Sequence, residues 1–213
     1  MRALDVKEYY RSPRPEMIAF VPRDAKKILE IGCASGYFGS AIKARQPCEV
    51  WGIELSEEYG KSAADLLDKV IIGDVAVKLN EVPEKYFDCI ICNDVLEHLV
   101  DPFSLLDNLK RYVIPDGNIV CSIPNIRYYR VLKELLLQGD WKYDSSGVLD
   151  ITHLRFFTKK SILRTFMERA WEVRQIEGIN PTSSRTFKIL NALTFGLIAD
   201  VRYQQFAVVA KLL

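Results

Sequence analysis

The chain has 213 residues, of which 49% are apolar and 27% charged, and its formal net charge is +1. That length suffices for one domain with a real core, and the composition is ordinary for a soluble globular protein. The near-zero charge and the lack of a phosphate-tracking basic tract argue against nucleic-acid binding and against strong attraction to anionic lipid. The longest apolar stretch, residues 189–201, is too short to span a membrane and contains Asn191 and Asp200. Met1-Arg2-Ala3-Leu4-Asp5 has no signal-peptide core. Five scattered cysteines, an odd count, suit reduced thiols and a cytoplasmic location better than a disulfide framework. Cys89 and Cys92 form a Cys-x-x-Cys, but inside an apolar run that reads as a strand, where residues three apart face opposite ways. They cannot share one ion there, so no metal site is expected.

Residues 1–25 hold Tyr9, Tyr10 and Arg14 around two prolines, and read as an N-terminal arm or a lid. Residues 27–31 are a first buried strand, closed by a turn on Gly32 and Gly36 and a helix over 37–45. Residues 48–55 are a second strand ending at Glu54, with Ser56 capping a helix that runs to about Leu67. A third strand, 69–72, stops at Gly73-Asp74. A fourth, 87–92, stops at Asn93-Asp94. Asp101-Pro102 starts an amphipathic helix, and a fifth strand covers 118–123 after the turn Pro115-Asp116-Gly117. Such alternation predicts an α/β fold, doubly wound, with a mostly parallel sheet and helices on both faces. Ligands of such sheets bind beyond the carboxyl ends of the strands, where Glu30, Glu54, Asp74, Asn93 and Asp94 all fall.

After Pro124 the pattern changes to an apolar helix over 128–138 and a long polar and aromatic loop, 139–158, containing His153 and Arg155. Long irregular segments in compact domains are usually functional. A helix over 161–170, a strand over 171–179, an apolar insertion over 187–199 and a closing strand over 203–211 complete the chain. The last two strands suit an antiparallel pair. The whole reads as one domain over 1–213: the arm, a cofactor-binding core over 26–124, and an acceptor-side part over 125–213.

A dinucleotide fingerprint would be Gly-x-Gly-x-x-Gly followed by an acidic residue about 20 positions on. Here the spacing is Gly32-x-x-x-Gly36-x-x-Gly39, and Glu30 precedes the turn, where it would repel a pyrophosphate. A nucleoside cofactor without phosphate, carrying a cation near Glu30, fits better. S-adenosylmethionine has those features.

Four segments in register, residues 28–36, 52–56, 73–74 and 93–99, resemble class I (Rossmann-like) S-adenosylmethionine-dependent methyltransferases. The resemblance implies a seven-stranded sheet with an antiparallel last strand. It assigns the turn Gly32, Cys33, Ala34, Ser35, Gly36 and the adjacent Tyr37 to the methionine half, with Glu30 near its ammonium. Glu54 would accept the ribose hydroxyls, Leu55 would pack on adenine, and Asp74, beside Val75, would take the adenine amino group. Asn93 would line the floor, with Asp94 beside it as a further cofactor-site residue and Leu96 and His98 near the methyl exit. Ala34 departs from the family's usual glycine and is tolerable if it avoids positive φ.

The segments 139–141 and 149–158 and the arm's Arg14-Pro15-Glu16 resemble a bacterial subgroup associated with cell-surface glycan assembly. That implies a saccharide or small-molecule hydroxyl as acceptor. Transfer to nitrogen or carbon, or a non-enzymatic cofactor-binding regulator, are the alternatives. A hydroxyl acceptor wants a base near neutral pH, for which His153 is the candidate, with His98 as the other histidine. Equally, Asp150, His153 and Arg155 could form a clamp that pins the loop. Monomer and homodimer both remain open.

Overall fold

The computed structural model describes residues 13–213; Tyr9 and Tyr10 of the expected arm lie outside them. The strands are β1 (Lys27–Ile31), β2 (Glu49–Glu54), β3 (Lys69–Ile72), β4 (Phe87–Asn93), β5 (Val113–Pro124), β6 (Trp171–Pro181) and β7 (Tyr203–Leu212). They form one seven-stranded sheet in the order β3-β2-β1-β4-β5-β7-β6. β1 to β5 run parallel, while β7 is antiparallel to both β5 and β6. The expected antiparallel last strand is therefore present, inserted inside the sheet, with β6 at the edge.

The central strands are apolar on both faces because helices cover both. In β4, Ile90 and Cys92 join one core cluster, while Cys89 and Ile91 join the other. The two thiols thus point to opposite sides, as the strand period requires, and burial pushes the Cys89 thiol up. Local chemistry sets the helix starts. Ser56 caps Glu57–Ala63, Asp101 accepts from Phe103 and Ser104 ahead of Pro102–Leu109, and Thr158 with Ser161 closes a capping box on Lys159–Met167.

Several boundaries differ from the sequence reading. The helix after Ser56 ends at Ala63 rather than near Leu67. The helix expected to reach Ala170 stops at Met167, because Ala170 turns left-handed (φ 57°) to enter β6. β5 begins at Val113, with Pro115-Asp116-Gly117 forming an irregularity within it around a left-handed Asp116. The apolar insertion becomes a helix, Arg185–Leu193, and a 3-10 turn, Ala199–Arg202.

Topology gathers the functional segments on one edge. The parallel strands deliver residues 32–37, 55–56, 73–75 and 93–98 to their carboxyl ends. β6 ends and β7 begins at that same edge, where Pro181 pairs with Tyr203 and Pro124 with Gln205. Among the described residues, no helix is long and apolar enough to cross a membrane.

Candidate functional site

The turn after β1 is built from three left-handed residues, Gly32 (φ 69°), Ala34 (φ 48°) and Gly36 (φ 80°). The condition set on Ala34 is thus not met, and the structure corrects it: the turn places a Cβ-bearing residue where glycine is favoured. Gly32 has a second constraint, since a Cβ there would meet Val95 Cγ2 at 2.9 Å. The turn is held by Gly32 N–H to Ile53 O (2.8 Å) and Gly36 N–H to Cys33 O (2.8 Å). Cys33 and Ser35 are buried beneath it, and Tyr37 opens the following helix half-exposed.

Glu54 ties this turn to β2. Its Oε2 accepts the Ala34 N–H at 2.8 Å and its Oε1 the Ser56 N–H at 2.9 Å. A carboxylate has about four lone-pair sites, so each oxygen keeps capacity for a further donor. Leu55 beside it is 74% exposed, an apolar platform open to solvent. Asp74 accepts the Ala76 N–H with Oδ1 (2.8 Å) and is otherwise exposed, whereas Val75 is packed into the core.

Glu30 lies beneath the turn, 3% exposed, with Oε2 lacking a hydrogen-bond partner. Burial raises its pKa to about 8; Glu54 adds to the rise, while the Gly39 N–H and Arg14 oppose it. Asn93 at the end of β4 buries both side-chain polar atoms without a partner. Buried polar atoms are nearly always paired, so Glu30 and Asn93 mark places for donors or acceptors from outside the chain.

Two expected residues do other work. Asp94, left-handed at φ 53°, uses Oδ1 on Ser122 Oγ (2.7 Å) and Gln205 Nε2 (2.8 Å), and its Oδ2 pairs with Arg14. Its carboxylate thereby joins the ends of β4, β5 and β7 to the arm. Leu96, expected at the methyl exit, is instead buried in the core cluster beneath β4, because the 3-10 turn Leu96–His98 rolls it inward.

That turn projects Glu97 and His98 toward the loop 139–158. Glu97 is fully buried, with both carboxyl oxygens unpartnered, and burial followed by the nearby Asp94 raises its pKa. His153 Nδ1 lies 3.1 Å from Val148 O, which can only accept, so Nδ1 carries the proton and Nε2 is the basic nitrogen. Nε2 faces Glu97 Oε1 at 4.0 Å. His98 rests edge-on against His153, ring centroids 4.7 Å apart, and its Nδ1 meets Thr152 Oγ1 at 3.1 Å. Burial lowers the His153 pKa, the strongest of several influences.

Both readings of the loop therefore have a physical counterpart. Leu154 and Arg155 donate their N–H groups to Glu97 O (2.8 and 3.0 Å), and the Arg155 guanidinium donates to Val100 O. The Asp150 carboxylate accepts from Thr152, and the Asp150 carbonyl accepts the His153 N–H at 3.0 Å. Glu97 went unnoticed in the sequence, where it lies between strand-end carboxylates and a histidine. Its only signal is adjacency to His98. Glu97, His98 and His153 bring three ligand-type atoms within 4.8 Å of one another.

The chain was compared with known proteins. A methyltransferase-domain family model matches residues 3–176. The ubiquinone biosynthesis O-methyltransferase of Psychrobacter cryohalolentis is 28% identical over 57% of this chain and 49% of its own length. The protein of that name from Aliivibrio fischeri is 27% identical over 84% of this chain and 75% of its own. The chain thus spans about half the length of several curated relatives it matches. The names of these relatives do not support the glycan-assembly subgroup expected from residues 139–141, 149–158 and Arg14-Pro15-Glu16. An S-adenosylmethionine-dependent methyltransferase from Archaeoglobus fulgidus has the same fold, with a TM-score of 0.70 at 20% identity over 96% of this chain and 97% of that one. The left-handed cradle, the two-handed Glu54 and the unpartnered buried Glu30 and Asn93 fit that cofactor's ribose and ammonium groups. The chain belongs to the methyltransferase-domain family and has the Rossmann-like fold of S-adenosylmethionine-dependent methyltransferases.

Proposed function

We propose that the methyl acceptor is a hydroxyl oxygen of a small molecule and that His153 is the base that receives its proton. The observation that carries this reading is the pair His98–His153, edge-on at 4.7 Å on the carboxyl edge of the sheet. S-adenosylmethionine, when bound, supplies an activated methyl group. The chain's own task is then to hold the donor, orient the acceptor and accept one proton.

Gly32, Ala34, Gly36 and Glu30 would hold the methionine half, Glu54 the ribose, and Leu55 and Asp74 the adenine, with Asn93 lining the floor. The Val148 carbonyl fixes the His153 tautomer and leaves Nε2 free to accept. The burial that lowers its pKa keeps the ring neutral at pH 7, the state a base needs. Glu97 faces the same nitrogen, so an imidazolium formed there has a carboxyl group beside it. Leu154, Arg155 and Thr152 hold the loop in register with Glu97 and His98, which supports alignment of the acceptor.

The O-methyltransferase names of the relatives favour oxygen over nitrogen or carbon. Labelled-methyl transfer onto matched panels of catechols, nucleotide sugars and amines tests the reading. Transfer to a phenolic or sugar hydroxyl is the expected result. Transfer confined to the amines would sink it.

A further inference from the structure

The net charge of +1 conceals an uneven surface. Between Glu177 and Asp200 the chain has no acidic residue, yet it carries Arg185 and Lys188. The helix Arg185–Leu193 in this stretch turns Phe187 inward, its ring 5.7 Å from that of Tyr129. Its other side is apolar and open: Ile189 and Leu193 lie four residues apart and are exposed. Beyond the helix, Phe195 is 96% and Leu197 83% exposed. Phe195 sits at a left-handed turn (φ 50°) followed by Gly196 (φ 81°), a geometry that holds the ring out on a tip.

A soluble protein gains nothing by presenting such a stripe to water. Short amphipathic helices that combine one apolar face with basic residues and no acidic ones lie in the headgroup layer of anionic membranes. On the same edge of the sheet, the helix Tyr129–Gln138 ends in exposed Leu136 and Leu137, followed by Trp141 and Tyr143 on either side of Lys142. Aromatic rings beside a lysine suit that layer too, since each offers an apolar body and a polar tip.

We propose that the helix Arg185–Leu193 and the tip at Phe195 dock this chain on an anionic lipid surface, with the apolar stripe in the headgroup region and Arg185 and Lys188 on lipid phosphates. The position of the stripe gives it meaning. β6 ends and β7 begins at the carboxyl edge that carries the Gly32–Gly36 turn, so the docking face and the mouth of the site share that edge. On the hydroxyl-acceptor reading above, an amphiphilic acceptor meets the site from the bilayer. The docking itself does not depend on that reading.

Flotation of the full chain with vesicles of phosphatidylcholine alone, or with phosphatidylglycerol added, tests the proposal. The expected result is co-flotation with the anionic vesicles only. Leu193→Glu/Phe195→Glu and, separately, Arg185→Glu/Lys188→Glu should each lower partitioning about tenfold. Both pairs are at the surface, and the thermal shift given by S-adenosylhomocysteine, read in the same samples, should stay unchanged. Two results overturn the proposal: no flotation of a chain that still responds to S-adenosylhomocysteine, or a dimer in solution that Leu193→Glu/Phe195→Glu separates. The second would show that another copy of the chain covers this face. Loss of the thermal shift in the unaltered chain would count against the cofactor site and leave the flotation result to stand by itself.

Discussion

Glu54 Oε2 accepts the backbone N–H of Ala34 at 2.8 Å, so the carboxylate at the end of β2 braces the turn at the end of β1. Its other oxygen holds the Ser56 N–H. The residue that would grip the ribose therefore also shapes the cradle for the methionine half. Glu54→Ala should lower stability by about 1–3 kcal/mol, the usual loss when buried donors are orphaned. It should also weaken S-adenosylhomocysteine binding at least tenfold, by about 1.4 kcal/mol or more. Calorimetric titration and thermal unfolding read the two effects separately. Unchanged affinity in a folded variant would remove Glu54 from the site.

Ala34 occupies a left-handed conformation that an alanine adopts at a penalty of roughly 1–2 kcal/mol. Ala34→Gly relieves it, offset in part by the greater freedom glycine has in the unfolded chain. The net expectation is a gain of about 0.5–1 kcal/mol, or roughly 1–4 °C in Tm for a domain of this size. The backbone N–H to Glu54 is retained, so S-adenosylhomocysteine affinity should not fall. A lower Tm would show that the Cβ makes a contact that outweighs the strain.

Much of this architecture was legible because its causes are local. Glu30, Glu54, Asp74 and Asn93 end apolar runs, and a parallel sheet must bring such ends to one edge. The hidden parts depend on distant partners. Nothing in the sequence near Asp94 reveals that Ser122, Gln205 and Arg14 will claim its carboxylate. Leu96 reads like its neighbours, yet a single 3-10 turn decides that it faces the core. Glu97 becomes conspicuous only once burial leaves both its oxygens without partners.

Glu30 should make stability and cofactor binding depend on pH in opposite directions. Its folded pKa, about 8, lies above the ordinary 4.5, mainly through burial. The folded state thus holds a proton that the unfolded state releases. This contribution to stability is fully present below about pH 4.5 and is lost as pH rises toward 8. Glu30→Gln should flatten the fall in Tm over that window and raise Tm at pH 8. A cationic ammonium beside Glu30 would expel the proton, so binding at pH 7 should release protons from the native chain and fewer from Glu30→Gln. Titration calorimetry in buffers of different ionisation enthalpy measures this directly. Equal proton release in both would place the ammonium elsewhere.

The two histidines can be separated by kinetics. Burial holds the His153 pKa below the ordinary histidine value of 6.5. A base is active when deprotonated, so the acid limb of the pH–kcat profile should lie below pH 6.5. His153→Ala should lower kcat by about 10²–10⁴, the usual range for losing a general base, with S-adenosylhomocysteine affinity kept. His98→Ala should have a smaller effect, because it removes the ring against which His153 rests and the contact with Thr152 but leaves the base itself in place. The reverse ranking, with His98→Ala the inactive variant and His153→Ala merely less stable, would move the base to His98. His153 would then be the buried support that Val148 and Glu97 hold in place.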